Sequence, residues 1–164
     1  MTAAVIVAGV AALVAIFGYV YVQVGQRRER VGSTFASAIA AVHDLRGMPF
    51  LVRRRPANDP VTRWELAKRL NEVHAQLDFH VAWLRVDAPS VAGPYLDTVA
   101  QVRDQAGEYM DWSLQQEPFQ ADADLVAHLA NRFRYEGLEA KIDLVVDAMR
   151  EFLARPWYAW LRSS

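Results

Sequence analysis

The chain has 164 residues, a formal net charge of −1 and no cysteine. This length allows one domain with one additional segment, and the absence of cysteine excludes disulfide bonds, thiolate metal sites and cysteine nucleophiles. The charge is uneven, because residues 27–69 carry ten basic and four acidic side chains whereas residues 70–164 carry eight basic and fifteen acidic ones.

Residues 1–26 are predicted to form a transmembrane anchor. The stretch 2–24 has no charged residue, and about 20 apolar residues cross a bilayer as a helix. Arg27, Arg28 and Arg30 follow at once. The positive-inside rule therefore predicts a single pass through the inner (plasma) membrane, with the N-terminus outside and the C-terminal domain in the cytoplasm. A cleaved signal peptide is disfavoured, because the stretch has no basic n-region and no small-residue cleavage site.

Small residues recur at regular spacing within this segment. Ala4, Ala8 and Ala12 are four residues apart and therefore share one face of a helix. Such spacing allows a second transmembrane helix to approach closely. We predict that this face contacts a membrane protein partner or a second copy of the chain; the alternative is that an alanine-rich stretch gives the spacing by chance.

Residues 27–59 are predicted to form a basic juxtamembrane helix and loop. The helix is expected over 31–46 and ends at a Gly-Met-Pro sequence. Its apolar face comprises Phe35, Ala38, Ile39, Val42 and Leu45. The loop contains the run Arg53, Arg54 and Arg55, and arginines beside a membrane favour contact with anionic lipid or a partner. The alternative is a solvated loop.

Residues 60–155 are predicted to form an all-α bundle of three long antiparallel helices, which the preceding helix joins as a fourth. The three helices are expected over about 60–86, 94–116 and 122–154, since each stretch has apolar residues at spacings of three and four. In the first, the apolar row is Leu66, Leu70, Val73, Leu77, Val81 and Leu84. The opposite face is predicted to be charged, with Arg63, Lys68, Arg69, Glu72, Gln76 and Asp78. Asp59 is an expected N-cap, and Thr62 with Glu65 is a second candidate, as a capping box.

Residues 156–164 form an aromatic C-terminal tail. Trp157, Tyr158 and Trp160 lie between two arginines. Such a composition favours the membrane interface or the groove of a partner. The alternative is that the tail folds back onto the bundle and covers one end of its core.

The sequence carries no motif of a specific chemistry. Phosphate-binding glycine patterns, the Gly-x-Ser-x-Gly elbow and the Glu-x-x-His pair of di-iron bundles are missing. His74 could bond to Asp78, four residues later, as an ordinary histidine at the core edge. We predict no catalytic, metal-binding or cofactor-binding residue and no cofactor. We also predict no nucleic-acid partner, because the acidic part of the chain repels phosphate.

The leading hypothesis is a membrane-tethered helical interaction module, a non-enzymatic accessory or scaffold subunit of a membrane-associated complex. Its expected partners are the lipid bilayer and a membrane protein or a second copy. The alternative is a membrane-anchored sensor or effector, of stress-response or phage-defence type, with a ligand pocket lined by His74, Trp83, Tyr109 or Trp112. A third hypothesis, a metalloenzyme bundle, requires at least three inward His or Glu side chains on facing helices.

Overall fold

The computed structural model describes residues 2–118 and 133–156, of which residues 2–14 and 16 are described by their backbone alone. Within these ranges the chain forms helices and no strands. The helices are α1 (Thr2–Arg53), α2 (Pro60–Asp87), α3 (Pro89–Gln115) and α4 (Leu138–Leu153). The predicted all-α helical bundle is therefore confirmed.

The helices alternate in direction along the chain. Arg46 of α1 pairs with Glu139 at the start of α4 at 2.5 Å, whereas Phe35 packs against Phe152 at the end of α4 with ring centroids 5.8 Å apart. These contacts show that α4 is antiparallel to α1. Helices α2 and α3 turn back on each other through Ala88. Helices α1 and α3 form the central pair, and α2 and α4 each pack against both.

Every helix contributes fully buried side chains to one core. Leu45, Leu77, Tyr95 and Leu138, one from each helix, all have 0% exposure. Burial of such a side chain stabilises the fold by about 1.5–3 kcal/mol. The hydroxyl of Tyr95 also donates to the carbonyl oxygen of Ala38 at 3.1 Å, which ties the central pair together.

Asp59 is the N-cap of α2, as predicted. Its Oδ1 accepts hydrogen bonds from the backbone N–H groups of Val61 at 2.9 Å and Thr62 at 3.0 Å. The Thr62 hydroxyl donates to Asp59 Oδ2 at 2.7 Å, and this bond is the largest cause of the lowered pKa of Asp59. These bonds satisfy donors that have no partner within the helix.

Three predicted helix boundaries were wrong. Helix α1 continues through Pro49 to Arg53, and Met48, near its end, is buried in the core. Helix α3 begins at Pro89 rather than near residue 94, since a proline in the first turn needs no hydrogen-bond partner for its nitrogen. Of the helix predicted over 122–154, residues 133–137 are not helical, because Gly137 has φ +71° and interrupts helical geometry there, and residues 122–132 lie outside the described residues.

The predicted membrane topology is contradicted. In the part of the chain that the structure describes, no helix is both long and apolar enough to cross a membrane. The anchor over residues 1–26 and the plasma-membrane localisation drawn from it are therefore corrected. Helix α1 continues from this segment into the bundle, and its Val24 and Val31 are buried in the protein core at 7% exposure. Ala4, Ala8 and Ala12 lie on α1 with side chains outside the described residues, so their predicted contact stays a prediction.

Candidate interaction surfaces

The three arginines of the basic run have different surroundings. Arg54 is exposed. Arg53 is half-buried, donates to the carbonyl oxygen of Glu117 and lies over the Trp112 ring, 5.9 Å from its centroid. Arg55 is only 1% exposed. The predicted contact with lipid or a partner stays a prediction, and Arg54 is the member of the run whose side chain is open to it.

Arg55 joins the C-terminal ends of α1 and α3. Its Nη1 donates to the carbonyl oxygens of Val52 and Ser113, both at 2.9 Å, and its Nη2 donates to that of Gln116 at 2.6 Å. Carbonyls at a helix C-terminus lack donors within the helix and carry partial negative charge. Burial lowers the pKa of Arg55, and Arg63 lowers it further. Arg55 forms no ion pair with a carboxylate of the described residues. The backbone carbonyl oxygens therefore compensate for the water that its buried guanidinium has lost.

The histidines and acids are dispersed. Asp78 accepts a hydrogen bond from Arg103 at 2.7 Å, so the predicted His74–Asp78 bond is replaced by an ion pair between α2 and α3. Burial lowers the pKa of His74, and Arg103 lowers it further while Asp78 raises it. Over residues 15–118 and 133–156, no three His, Asp or Glu side chains are grouped to hold a metal ion.

The aromatic residues suggested as a ligand pocket pack in separate places. Trp83 contacts Phe35, with ring centroids 6.0 Å apart. Tyr109 and Trp112 both contact Phe133, with ring centroids 5.1 Å and 5.9 Å apart. The first contact lies between α1 and α2, and the other two lie near the end of α3. The structure thus places these residues against other core side chains rather than around one shared cavity.

Helix α2 has a second apolar row that faces away from the core. Val61, Trp64, Phe79 and Val86 are 66%, 65%, 61% and 81% exposed. At about 100° per residue, they fall within a sector of about 60°. The buried row of the same helix, which includes Leu77, lies on the opposite side. We call the exposed set, together with the exposed Ala75 and Ala82 in the same sector, the outer row of α2.

A shallow depression of about 540 Å³ lies beside this row. It is lined by Trp64, Ala67, Lys68, Asn71, Glu72 and Ala75. The Lys68 ammonium lies 5.8 Å from the centroid of the Trp64 ring, so its charge partly covers that ring. The outer row was not predicted, because this side of α2 was interpreted from its charged residues. The signal was present, since Val61, Trp64, Ala75, Phe79, Ala82 and Val86 recur at helical spacing.

A second, larger groove lies between α1 and the end of α4. Its volume is about 1040 Å³, and its walls are mostly apolar. The walls are Phe17, Gly18, Val20, Tyr21, Val24, Gly25 and Arg28 of α1 with Ala154, Arg155 and Pro156. Trp157, Tyr158 and Trp160 follow directly but lie outside the described residues, so their predicted contact stays a prediction.

Comparison with known proteins gives no relative from which a function could be transferred. No family model, curated protein or solved structure matches the chain.

Buried His80 makes the stability of the bundle dependent on pH. The residue is 7% exposed, its Nδ1 has no hydrogen-bond partner among the described residues, and burial lowers its pKa from 6.5. As the pH falls below 6.5, the imidazole of residue 80 is protonated more readily in the unfolded chain than in the folded one. The contribution of His80 to stability is therefore present above pH 6.5 and is lost below it. We expect the free energy of unfolding to fall as the pH is lowered from 7.5 to 5.5.

Urea denaturation at a series of pH values measures this effect. The His80→Leu variant should have a flatter profile across the range, whereas His43→Gln, at an exposed position, should keep the slope of the parent chain. Equal slopes for the parent and His80→Leu would show that another group carries the dependence.

Proposed function

We propose that the chain is a helical interaction module, a non-enzymatic accessory or scaffold subunit, and that it binds a second copy of itself through the outer row of α2. The observation that carries this proposal is that α2 is apolar on two opposite sides, one of which is already in the core. Lys68 is the one charged side chain within the same sector of α2, and Glu72 lies beside it. An exposed row that is mostly apolar is typical of a surface that another helix covers.

The occupant follows from the distribution of large and small side chains along the row. Within the row, a large residue occurs at Trp64 and an exposed alanine occurs at Ala82. An antiparallel pair centred between residues 71 and 75 sets Trp64 against Ala82 of the second copy. Facing large and small residues fill the space between two helices, and a twofold axis makes each contact twice.

The length of the row also favours another helix as the occupant. From Val61 to Val86 the row extends about 38 Å at a rise of 1.5 Å per residue. A second α2 has the same length and the same row, so one helix covers the other from end to end. The spacings of three and four residues suit packing at a shallow angle between the two helices.

Site-specific cross-linking tests the proposal, and the chain suits it because it has no native cysteine. Ala75 is exposed near the centre of the row, so two copies of Ala75→Cys should be joined in high yield by a short bifunctional maleimide. Two copies of Val61→Cys should not be joined, because an antiparallel pair places the two Val61 positions at opposite ends of the paired helices. Leu144→Cys, at an exposed position on α4, is the control outside the row.

Each outcome has a definite meaning. Efficient cross-linking of Ala75→Cys alone supports the antiparallel pair. Cross-linking of Val61→Cys as efficiently as Ala75→Cys would indicate a parallel pair and overturn the proposed arrangement. Equal yields from Ala75→Cys and the control Leu144→Cys would overturn the outer row of α2 as the contact.

A further inference from the structure

We propose that the groove between α1 and the end of α4 binds the C-terminal segment of the same chain, residues 157–164. The groove opens on Phe17 and Tyr21, which are 62% and 82% exposed. Two glycines, Gly18 and Gly25, also line it, and a Cβ at either would meet no atom within 4 Å. This part of α1 therefore offers an open apolar surface with room for additional side chains.

The chain is held at the mouth of this groove where the segment begins. The Arg28 guanidinium donates to the carbonyl oxygen of Arg155 at 2.5 Å. The Arg155 guanidinium donates to the Ser90 hydroxyl at 2.9 Å and lies 4.3 Å from the centroid of the Phe152 ring. Pro156, the next residue, is itself part of the wall. The described chain thus ends beside the groove.

The composition and length of the segment suit the groove. Residues 157–164 include two tryptophans, one tyrosine and one leucine, and aromatic side chains bury large apolar areas. Eight residues reach up to about 28 Å when extended. Phe17 to Arg28, the length of α1 that lines the groove, covers only about 17 Å, so the segment can reach the far end.

Attachment favours this segment over a free partner. A covalently joined segment is present at an effective concentration of the order of millimolar, so it competes strongly with any molecule in solution. The aromatic segment would cover the apolar surface of α1 within the single chain. The inference is independent of the α2 contact, which lies on a different helix.

Photo-cross-linking within the full chain tests this inference. A benzophenone amino acid is placed at Tyr21, inside the groove, or at Tyr19, which is 67% exposed but is not among the groove residues. We expect Tyr21 to yield adducts on residues 157–164 within single chains, several-fold more than Tyr19. Trp157→Ser combined with Trp160→Ser should reduce that yield, whereas Ser163→Ala combined with Ser164→Ala should not.

Peptide mass spectrometry of the single chains and of the covalently joined chains, separated after denaturation, identifies the occupant. Adducts on residues 157–164 in the single chains support the inference. Adducts that join two chains would assign the groove to a second copy and overturn it. Adducts on other segments, or equal yields from Tyr21 and Tyr19, would also overturn it.

Discussion

Replacing Arg55 by Met should lower the free energy of unfolding by about 3 kcal/mol or more. The side chain is 1% exposed and donates to the carbonyl oxygens of Val52, Ser113, Leu114 and Gln116. A buried polar group that loses its partner costs about 1–3 kcal/mol, and a methionine leaves several carbonyls without donors at once. The loss should appear as a lower urea midpoint at an unchanged slope.

Arg54 supplies the matched control. It neighbours Arg55 and has the same charge, but its side chain is exposed. Arg54→Met should change stability by less than about 0.5 kcal/mol. Arg55→Lys should give an intermediate loss, because a single ammonium cannot replace the planar fork of donors. If Arg54→Met and Arg55→Met are equally destabilised, Arg55 does not hold α1 and α3 together in this way.

Replacing Phe79 by Glu should abolish self-association while leaving the bundle folded. Phe79 is 61% exposed and lies in the outer row of α2, so an added charge costs little in a single chain. In the proposed pair, the same carboxylate would replace a large apolar side chain at the contact and would have to lose its hydration there, and this costs several kcal/mol. Light scattering coupled to size exclusion should therefore report a loss of the dimer.

Leu144→Glu is the control for this substitution. Leu144 is 63% exposed on α4, so the change is chemically the same and leaves the outer row of α2 intact. We expect Leu144→Glu to associate as the parent chain does, with both variants keeping the same helical content. A dimer that survives Phe79→Glu, or one that both variants lose equally, would contradict a contact through α2.

Local patterns predicted much of the bundle. The apolar face of the helix over 31–46 includes Phe35, Val42 and Leu45, which are all buried in α1. The N-cap at Asp59 was also predicted, because capping depends on residues within one turn. Periodicity identifies such faces because a helix repeats every 3.6 residues whatever it packs against.

Local sequence patterns could not predict contacts between distant parts of the chain. Arg55 looks like Arg53 and Arg54 in the sequence, and only the approach of the end of α3 distinguishes it. The anchor was predicted from apolar composition, yet Val24 and Val31, at its end and just beyond, are in the protein core. Apolar composition alone does not distinguish a side chain that lipid covers from one that the protein core covers.

The outer row of α2 is a different case, since its spacing was visible in the sequence. Two apolar rows on opposite sides of one helix cancel in any measure that looks for a single apolar side. Lys68 within the sector of this row, and Glu72 beside it, also give this side of α2 a charged pattern that obscures Trp64 and Phe79. Exposure values for α2 were needed to separate the packed row from the open one.

Sedimentation equilibrium of the full chain, measured beside Phe79→Glu over a wide range of concentrations, tests self-association through α2 most directly. We expect the parent chain to approach twice the monomer mass of 18.5 kDa as the concentration rises, whereas Phe79→Glu should remain at the monomer mass. A parent chain that is monomeric at every concentration, or that has the same mass profile as Phe79→Glu, would contradict it.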